Sequence, residues 1–334
     1  MKKVNVAVVG ATGMVGRNFL KILEERDFPI DNLYLFSSAK SAGNKLTFKG
    51  KEYEVEALTE ESFNRDIDIA LFSAGGAVSK KFAPIARDHG VIVVDNSSAW
   101  RMDKDIPLVI PEVNPEDIKW NNGIIANPNC STIQSVVPLK VLHDAFKIKR
   151  IIFSTYQAVS GSGMGGINDL ENGINGGKHK KYPHQIAYNC IPHIDDFMEN
   201  GYTKEEMKMI DETKKILNDE TIKITATTVR VPVKYGHSVS INIEFENPFE
   251  LEEVFKLLEN ADGIIVQDNL ENNIYPMAIN AEGTDEVYVG RIRRDFSIDN
   301  GLNLWVVADN TRKGAATNAV QIAELVIKNL EWGG

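Results

Sequence analysis

The stretch VNVAVVGATGMVG, residues 4–16, decides the fold of the first part of this chain. Its first six residues form a largely apolar run typical of a buried strand, and a helical pattern begins at Met14. Strand, glycine turn and helix in this order predict a dinucleotide-binding unit, in which the backbone approaches a pyrophosphate at the helix N-terminus. The spacing G-x-x-G-x-x-G is a variant of the commoner G-x-G-x-x-G, so a simple tight turn stays open as the alternative.

The segment after the next predicted strand, residues 33–36, indicates which dinucleotide binds. It reads SSAKSAG over residues 37–43, with no Asp or Glu where NAD enzymes usually hold the ribose hydroxyls with a carboxylate. Hydroxyl groups and one lysine suit a 2′-phosphate, so the sequence favours NADP over NAD. A solvent-exposed serine-rich loop is the alternative.

Two further predicted strands, residues 68–72 and 91–94, each end in a loop of small residues. The loops read SAGG over residues 73–76 and DNSSAWR over residues 95–101. In doubly wound sheets, ligands bind at these carboxyl ends of the strands. Arg101 is therefore placed to meet an anionic group, although an arginine in an exposed ion pair would fit the same position.

One of only two cysteines, Cys130, lies in NPNCST, residues 127–132, directly before an apolar run with the spacing of a buried helix face. Asn-Pro-Asn favours a turn, and the hydroxyl residues after the cysteine favour the first turn of a helix. The thiol would then lie at a helix N-terminus, where unpaired N–H groups and the helix dipole favour thiolate over thiol. The sequence therefore predicts a nucleophile, with a small buried hydrophobic residue as the alternative.

The pattern changes from about residue 149, which predicts a second domain. Residues 238–246 alternate polar and apolar side chains without a break, as in an antiparallel strand with one buried face. We predict an α/β chain whose residues 1–130 form a doubly wound, Rossmann-type NADP-binding domain. Residues 131–312 are predicted as an α+β domain with a mixed, largely antiparallel sheet, and the last helix, residues 313–330, is expected to pack back on the first domain.

The composition of the 334 residues limits the partners. A net charge of −10 disfavours nucleic acid, which binds basic surfaces. Two cysteines are too few for a disulfide framework, and they suit a reducing cytoplasm. No stretch of the sequence has the ~18 apolar residues that a membrane helix needs. The spacing of His179, His184 and His193 matches no ligand pattern, so no metal is expected, and Cys190 is expected in the core.

Five polar residues of the second domain are candidates for chemistry. Gln157 lies within an otherwise apolar strand, Arg230 lies near the end of another, and His237 opens the alternating strand. Glu212 and Lys215 are three apart on a predicted helix and share a face. Each has a structural alternative, because solvent ion pairs and non-catalytic histidines are common at such positions.

Taken together, these segments resemble the aspartate-β-semialdehyde dehydrogenase family, in order and over nearly the whole chain. The segments that carry the resemblance are GATGMVG at 10–16, SSAKSAG at 37–43, DNSSAWR at 95–101, NPNCST at 127–132, TYQAVSGSGMGG at 155–166, ETKKIL at 212–217, RVPVKYGHS at 230–238 and GAATNA at 314–319. The resemblance implies NADP-dependent, reversible reductive dephosphorylation of L-4-aspartyl phosphate to L-aspartate-4-semialdehyde. That reaction serves the biosynthesis of lysine, diaminopimelate, methionine, threonine and isoleucine. A homodimer, or a tetramer, formed through the second, catalytic domain is also implied.

The resemblance implies a role for each matching residue. Cys130 would be the nucleophile, His237 the general acid/base, and Gln157 would orient the reacting groups. Arg230 would grip the substrate carboxylate, and Glu212 would meet its ammonium. The implied substrate-binding residues are Arg101, Asn129, Glu212, Lys215 and Arg230. The implied cofactor contacts are Gly10, Thr12, Gly13, Met14, Val15, Gly16, Ser37, Ser38, Ser41, Gly75, Ser160, Gly161, Gly163 and Asn310.

The implied chemistry depends on a thiohemiacetal. Thiolate Cys130 adds to the aldehyde, His237 takes the hydroxyl proton as hydride leaves to NADP⁺, and phosphate held by Arg101 and Lys215 attacks the thioester. N-acetyl-γ-glutamyl-phosphate reductase shares this chemistry. The amine of its substrate is acylated and carries no charge, so a carboxylate at position 212 speaks against this family. Glyceraldehyde-3-phosphate dehydrogenase would require an acidic residue after the second strand. A nucleotide-sensing protein without turnover would have no need of the catalytic residues.

Overall fold

The computed structural model describes residues 3–332 and divides the chain into two units. Unit 1 comprises Met1–Pro128 with Ala315–Gly334, and unit 2 comprises Asn129–Gly314. The first boundary lies two residues before the end expected for the dinucleotide domain, so Cys130 belongs to unit 2. The second boundary lies within a π-helical turn, Arg312–Ala316.

Unit 1 is a layered α/β structure. Its regular elements are β1 Val4–Val9, α1 Met14–Glu25, β2 Ile30–Ser37, β3 Lys45–Phe48, β4 Lys51–Ala57, β5 Ile69–Phe72, α2 Gly76–Asp88, β6 Ile92–Asp95, β7 Ile124–Ala126 and α8 Thr317–Trp332. The strands pair in the order β3-β4-β2-β1-β5-β6-β7. All neighbours are parallel except β3 and β4, so the carboxyl ends of the central strands meet at one edge.

The core of unit 1 joins β1 to the helices on the sheet. Val6 and Val8 of β1 lie in one cluster with Phe19 of α1 and with Ala319 and Ala323 of α8. This last helix begins at Thr317 rather than at residue 313, because the π-helical turn occupies the preceding residues. Burial of these apolar faces stabilises the turn between β1 and α1, from which a nucleotide site can be built.

Unit 2 has a second sheet and five helices among the described residues. Its regular elements are α3 Cys130–Phe146, β8 Ile148–Gln157, α4 Met164–Ile174, α5 Lys204–Leu217, β9 Lys223–Arg230, β10 His237–Phe245, α6 Leu251–Glu259, β11 Ile264–Val266, α7 Ala278–Ala281, β12 Val287–Asp295 and β13 Gly301–Ala308. The strand order is β11-β12-β13-β10-β8-β9. Three pairs are antiparallel, and the β8–β9 and β11–β12 pairs are parallel, as predicted for a mixed, largely antiparallel sheet.

The alternating segment forms β10 and separates a covered face from an open one. Val239, Ile241 and Ile243 are fully buried, whereas Ser240 and Asn242 are partly exposed. This confirms the interpretation of the alternation as a strand with one buried face.

The prediction that Cys190 lies in the core is wrong, because its side chain is exposed. Its neighbour Ile191 is 3% exposed and forms a β-bridge with Arg230, so the alternation of the segment directs Ile191 inward and Cys190 outward. In the described part of the chain, none of the helices has the length and apolar character that a membrane crossing requires. Residues 3–332 also contain no group of three or more His, Cys, Asp or Glu side chains able to hold a metal ion.

Candidate active site

The β1–α1 turn of unit 1 borders a cleft of about 330 Å³. Gly10 has a φ of +85°, and a Cβ atom there would lie 2.3 Å from the carbonyl oxygen of Ser73. A Cβ atom on Gly16 would lie 2.2 Å from the carbonyl oxygen of Gly10. Glycine is therefore required at both ends of the turn, once for the backbone conformation and once for helix–strand packing.

The predicted cofactor residues of unit 1 divide into two groups. Those that line the cleft are Gly10, Thr12, Gly13, Ser37 and Ser38. The Thr12 and Ser37 hydroxyls are hydrogen-bonded to each other at 2.8 Å, which joins the glycine turn to the end of β2. The others lie in neighbouring elements. Met14 and Val15 are the first residues of α1, and Gly16 packs on the turn. Ser41 lies in a 3-10 turn after Ser38, and Gly75 is the N-cap of α2.

Arg101 is buried in unit 1, so the alternative of an exposed ion pair is wrong. Its side chain is 8% exposed, with Nε donating to the carbonyl of Asn127 and Nη2 to that of Asn96, both at 3.0 Å. These backbone contacts fix the guanidinium at the carboxyl edge of the sheet.

Cys130 is the first residue of α3, its side chain is half-buried, and it forms no disulfide with the other cysteine, Cys190. Asn129 is the N-cap, with its Oδ1 accepting from the backbone N–H groups of Ser131 at 2.9 Å and Thr132 at 3.3 Å. The predicted position at a helix N-terminus is confirmed. A Cβ on Gly314 would lie 2.9 Å from the Cys130 Cβ, so only glycine permits this approach of the chain to the thiol.

A buried carboxylate, Glu205 at the start of α5, lies between the two amide residues of the site. Its Oε1 accepts from Asn129 Nδ2 and from Gln157 Nε2, both at 3.0 Å. Its Oε2 contacts Lys208 Nζ at 3.1 Å, and the same ammonium donates to Asp195 at 2.7 Å. Burial raises the pKa of Glu205, but the Lys208 charge and the amide hydrogen bonds outweigh burial and hold the pKa below its usual value.

His237 and Arg230 are held by one peptide group. The N–H of Ala158 donates to His237 Nδ1 at 2.9 Å, and Arg230 Nη1 donates to the Ala158 carbonyl at 2.7 Å. Because Nδ1 is an acceptor, the proton of the neutral imidazole is on Nε2. Burial, followed by the charge of Arg230, lowers the pKa of His237 well below its ordinary value, so the ring is neutral.

Two buried polar atoms of this pair have no hydrogen-bond partner among the described residues: His237 Nε2 and Arg230 Nε. Gly161 lies beside both residues, since a Cβ there would be 2.9 Å from Arg230 Nη1 and 3.3 Å from His237 Nε2. Buried donors without partners are costly unless a ligand accepts from them. The two donors and the glycine therefore mark a place for an oxygen-rich ligand.

Ser160 and Asn310, both expected near the cofactor, lie together in unit 2. The Ser160 hydroxyl and the Asn310 side chain are hydrogen-bonded at 3.0–3.1 Å, and Asn310 Oδ1 also accepts from the Gly236 N–H at 3.0 Å. Gly163, the third expected contact of this segment, has a φ of +69° and caps α4.

Glu212 is 1% exposed, so the alternative of a solvent pair with half-buried Lys215 is wrong. Its Oε2 accepts from the Asn129 backbone N–H at 2.7 Å. Glu205 and Glu212 are two helical turns apart on α5, and they hold the side chain and the backbone of Asn129 respectively.

Glu205 and Lys208 were not predicted as site residues from the sequence. A signal was present, because Glu205, Met209, Glu212 and Ile216 follow the spacing of a buried helical stripe, and carboxylates in such a stripe need partners. The pairing of Ala158 with His237 had no signal, since it uses a backbone group.

Both units match family models. Residues 5–121 match the semialdehyde dehydrogenase NAD binding domain, and residues 139–313 match the semialdehyde dehydrogenase dimerisation domain. The aspartate-semialdehyde dehydrogenase of Aquifex aeolicus is 61% identical over 97% of this chain and 98% of that protein. The aspartate-semialdehyde dehydrogenase 2 of Vibrio cholerae is 52% identical over 97% of this chain and 98% of its own length.

Solved structures give the same result. The crystal structure of Vibrio cholerae aspartate semialdehyde dehydrogenase II complexed with ASA has a TM-score of 0.94 and 51% identity, covering 98% of this chain and 99% of that one. The Candida albicans enzyme crystallised with NADP has a TM-score of 0.78 and 27% identity, covering 97% and 98%.

The chain belongs to the class of semialdehyde dehydrogenases, as shown by its two-unit architecture, the cleft at the glycine turn and the two family models. Within that class, the chain belongs to the aspartate-semialdehyde dehydrogenase family. The resemblance drawn from the motifs and the predicted two-domain fold are thereby confirmed. The relatives favour this family over the reductase and the glyceraldehyde-3-phosphate enzyme considered from the sequence.

Proposed function

We propose that this enzyme converts L-4-aspartyl phosphate to L-aspartate-4-semialdehyde, reversibly and with NADP, through an acyl intermediate on Cys130. The observation that carries the proposal is the position of Cys130, at an N-terminus capped by Asn129 and joined through Glu205 to Gln157. A thiolate stabilised at a helix N-terminus is a nucleophile suited to an acyl phosphate. The names of the relatives support the same substrate.

The proposed first step transfers the acyl group of the substrate from phosphate to Cys130. Cys130 Sγ attacks the acyl carbon, a C–S bond forms, the C–O bond to phosphate breaks, and phosphate leaves with the electron pair. A bound nicotinamide cofactor supplies the hydride needed for reduction. When the resulting oxyanion collapses, the C–S bond breaks and its electrons return to Sγ. We propose that His237 donates a hydrogen bond from Nε2 to the reacting oxygen. This role replaces the general acid/base role implied by the resemblance.

The substrate's charged groups are assigned to four residues. We propose that Arg230, with its buried Nε, binds the α-carboxylate and that Glu212 meets the ammonium. Arg101 and Lys215 are proposed to bind the phosphate. Gln157 is proposed to orient the acyl group beside Cys130.

We propose NADP as the preferred dinucleotide. The residues of the cleft fit a dinucleotide, because Gly10 permits close backbone approach and the Thr12 and Ser37 hydroxyls line the wall. The described cleft lining contains no Asp or Glu, and such a carboxylate would repel a 2′-phosphate. Ser41, Gly75, Ser160, Gly161, Gly163 and Asn310 remain proposed cofactor contacts. The relative crystallised with NADP supports the same preference.

The assembly and compartment are proposed with the chemistry. Residues 139–313 match a dimerisation domain, which supports a homodimer, with a tetramer as the alternative. A nucleophilic thiol must stay reduced, and Cys130 and Cys190 form no disulfide with each other. A reducing cytoplasm would keep Cys130 in that state.

The test is NADPH formation at 340 nm with NADP⁺, L-aspartate-4-semialdehyde and phosphate, compared with the same mixture without phosphate. Phosphate-dependent NADPH formation is expected, together with its loss in Cys130→Ser. The change of the surface thiol, Cys190→Ser, is the matched control and should leave the rate unchanged. Absence of NADPH formation by protein that binds NADP would refute the assignment, and N-acetylglutamate semialdehyde would then be tested.

A further inference from the structure

We infer that Glu205 is a positioning residue, which fixes the orientation of the Gln157 and Asn129 amides while Lys208 keeps it ionised. The inference deepens the proposed function, since it rests on Cys130 and Gln157 being part of the catalytic site. Its basis is a continuous chain of contacts from the two amides through Glu205 and Lys208 to Asp195.

The carboxylate determines which way each amide faces. An ionised carboxylate only accepts hydrogen bonds, so the NH₂ groups of Asn129 and Gln157 must both point towards Glu205 Oε1. The oxygen ends are then directed elsewhere, and Gln157 Oε1 accepts from the Thr155 hydroxyl at 3.0 Å. A protonated or amide side chain at position 205 would also donate hydrogen bonds. The two amides would then no longer be held in one orientation.

Orientation of the Asn129 amide matters for the nucleophile. With Nδ2 on Glu205, Oδ1 is available to cap α3 through the Ser131 and Thr132 N–H groups. A flipped amide would present NH₂ to these donors and would leave the helix N-terminus without its cap. Glu205 thereby acts on the geometry around Cys130 through Asn129.

Lys208 accounts for the ionisation of a carboxylate that is only 5% exposed, and Asp195 in turn holds the Lys208 ammonium. The charged groups around Glu205 are Lys208 on its own helix and Asp195 from the preceding segment, with Glu212 two turns further along α5. Without the ammonium, burial would be opposed only by the two amide hydrogen bonds, so the pKa of Glu205 would rise.

The first test substitutes Glu205→Gln, which keeps the size of the side chain and removes its charge. We expect kcat to fall about 10²-fold, as for a small misplacement of reacting groups, while the KM for the dinucleotide changes less than about twofold. Alkylation of Cys130 by iodoacetamide, followed by peptide mass spectrometry to exclude Cys190, should still occur. A wild-type kcat in this variant would overturn the inference. So would a variant in which Cys130 is no longer alkylated and the unfolding temperature is lower than that of the wild type.

The second test keeps Glu205 and changes its cation. Lys208→Met should add a limb to the pH profile of kcat, with activity falling as pH decreases and recovering at higher pH. Lys208→Arg should restore the wild-type profile, because a cation remains. Lys204→Met, one turn away in the exposed ion pair with Asp196, is the matched control. A Lys208→Met enzyme that loses activity equally at every pH would overturn the inference.

Failure of the proposed function is recognised separately. If wild-type enzyme does not turn over the semialdehyde, that proposal fails. The Glu205 inference is then tested by the ¹⁵N side-chain signals of Asn129 and Gln157. These should exchange slowly with solvent in the wild type and in Lys208→Arg, and faster in Glu205→Gln. Equal exchange rates in all three would overturn it.

Discussion

His237 should act as a neutral hydrogen-bond donor that keeps its proton throughout turnover. The Ala158 N–H occupies Nδ1 at 2.9 Å, so a proton on Nδ1 would set two N–H groups against each other. Burial and the Arg230 charge also lower the pKa of His237. Protonation is therefore disfavoured, and Nε2–H is the tautomer presented to the substrate.

A fixed donor is sufficient for the chemistry. The oxyanion left after reduction of the thioester can collapse directly to aldehyde and the thiolate of Cys130. One C–S bond breaks, its electron pair returns to sulfur, and no proton has to be transferred. The group at Nε2 then needs only to stabilise the negative charge on oxygen.

The perturbation is His237→Ala, compared with His237→Gln. Loss of one buried donor to an oxyanion costs kcat about 10²–10³-fold, or about 2.7–4 kcal/mol of transition-state stabilisation. Glutamine offers an N–H at similar reach but cannot act as a base, so His237→Gln should recover part of the lost kcat. A general base at this position would leave both variants equally impaired.

The assays are kcat between about pH 6 and 8 in H₂O and D₂O, and ¹⁵N NMR of histidine-labelled enzyme. We expect no histidine inflection in kcat, a solvent isotope effect near one, and an Nε2–H signal that does not titrate. An Nδ1–H tautomer would refute the reasoning, as would an inflection present in the wild type and absent from His237→Gln.

Two further predictions follow from single positions. Gly314→Ala should lower kcat at least about tenfold, because the new methyl group would lie 2.9 Å from the Cys130 Cβ. Gly165→Ala is the control, since its Cβ would meet only the Lys181 side chain, at 3.4 Å. Equal activities in steady-state assays would contradict this. Ser37→Asp should lower the ratio of kcat/KM for NADP to that for NAD at least about tenfold, because its carboxylate would enter the cleft beside Thr12. The exposed Thr47→Asp should not change that ratio, and an unchanged ratio in Ser37→Asp would contradict the NADP preference.

Features that depend on neighbouring residues could be predicted from the sequence. The β1–turn–α1 unit follows from an apolar run, spaced glycines and a helical period, and the structure has it at Val4–Glu25. The helix that begins at Cys130 follows from the turn residues before it and the apolar spacing after it. In both cases the physical cause lies within about one helical turn of the residue concerned.

The arrangement behind the nucleophile could not be predicted in this way. Asn129 and Glu205 are 76 residues apart, and Ala158 and His237 are 79 apart. The second contact uses a backbone N–H, which every residue except proline has, so no residue type identifies it. Burial of Arg101 likewise depends on carbonyls of Asn96 and Asn127 that only the folded sheet brings to the guanidinium.

The position of charge on α5 explains why the site needs this helix. A buried stripe of a helix normally consists of apolar residues, and replacing one by a carboxylate costs stability unless partners compensate. On α5, Glu205 and Glu212 alternate with Met209 and Ile216, and both carboxylates hold Asn129. Because a core of leucines would be at least as stable, stability alone does not account for the two acids. Their common contact is the residue before Cys130, so the charge of α5 is best understood as fixing the start of α3.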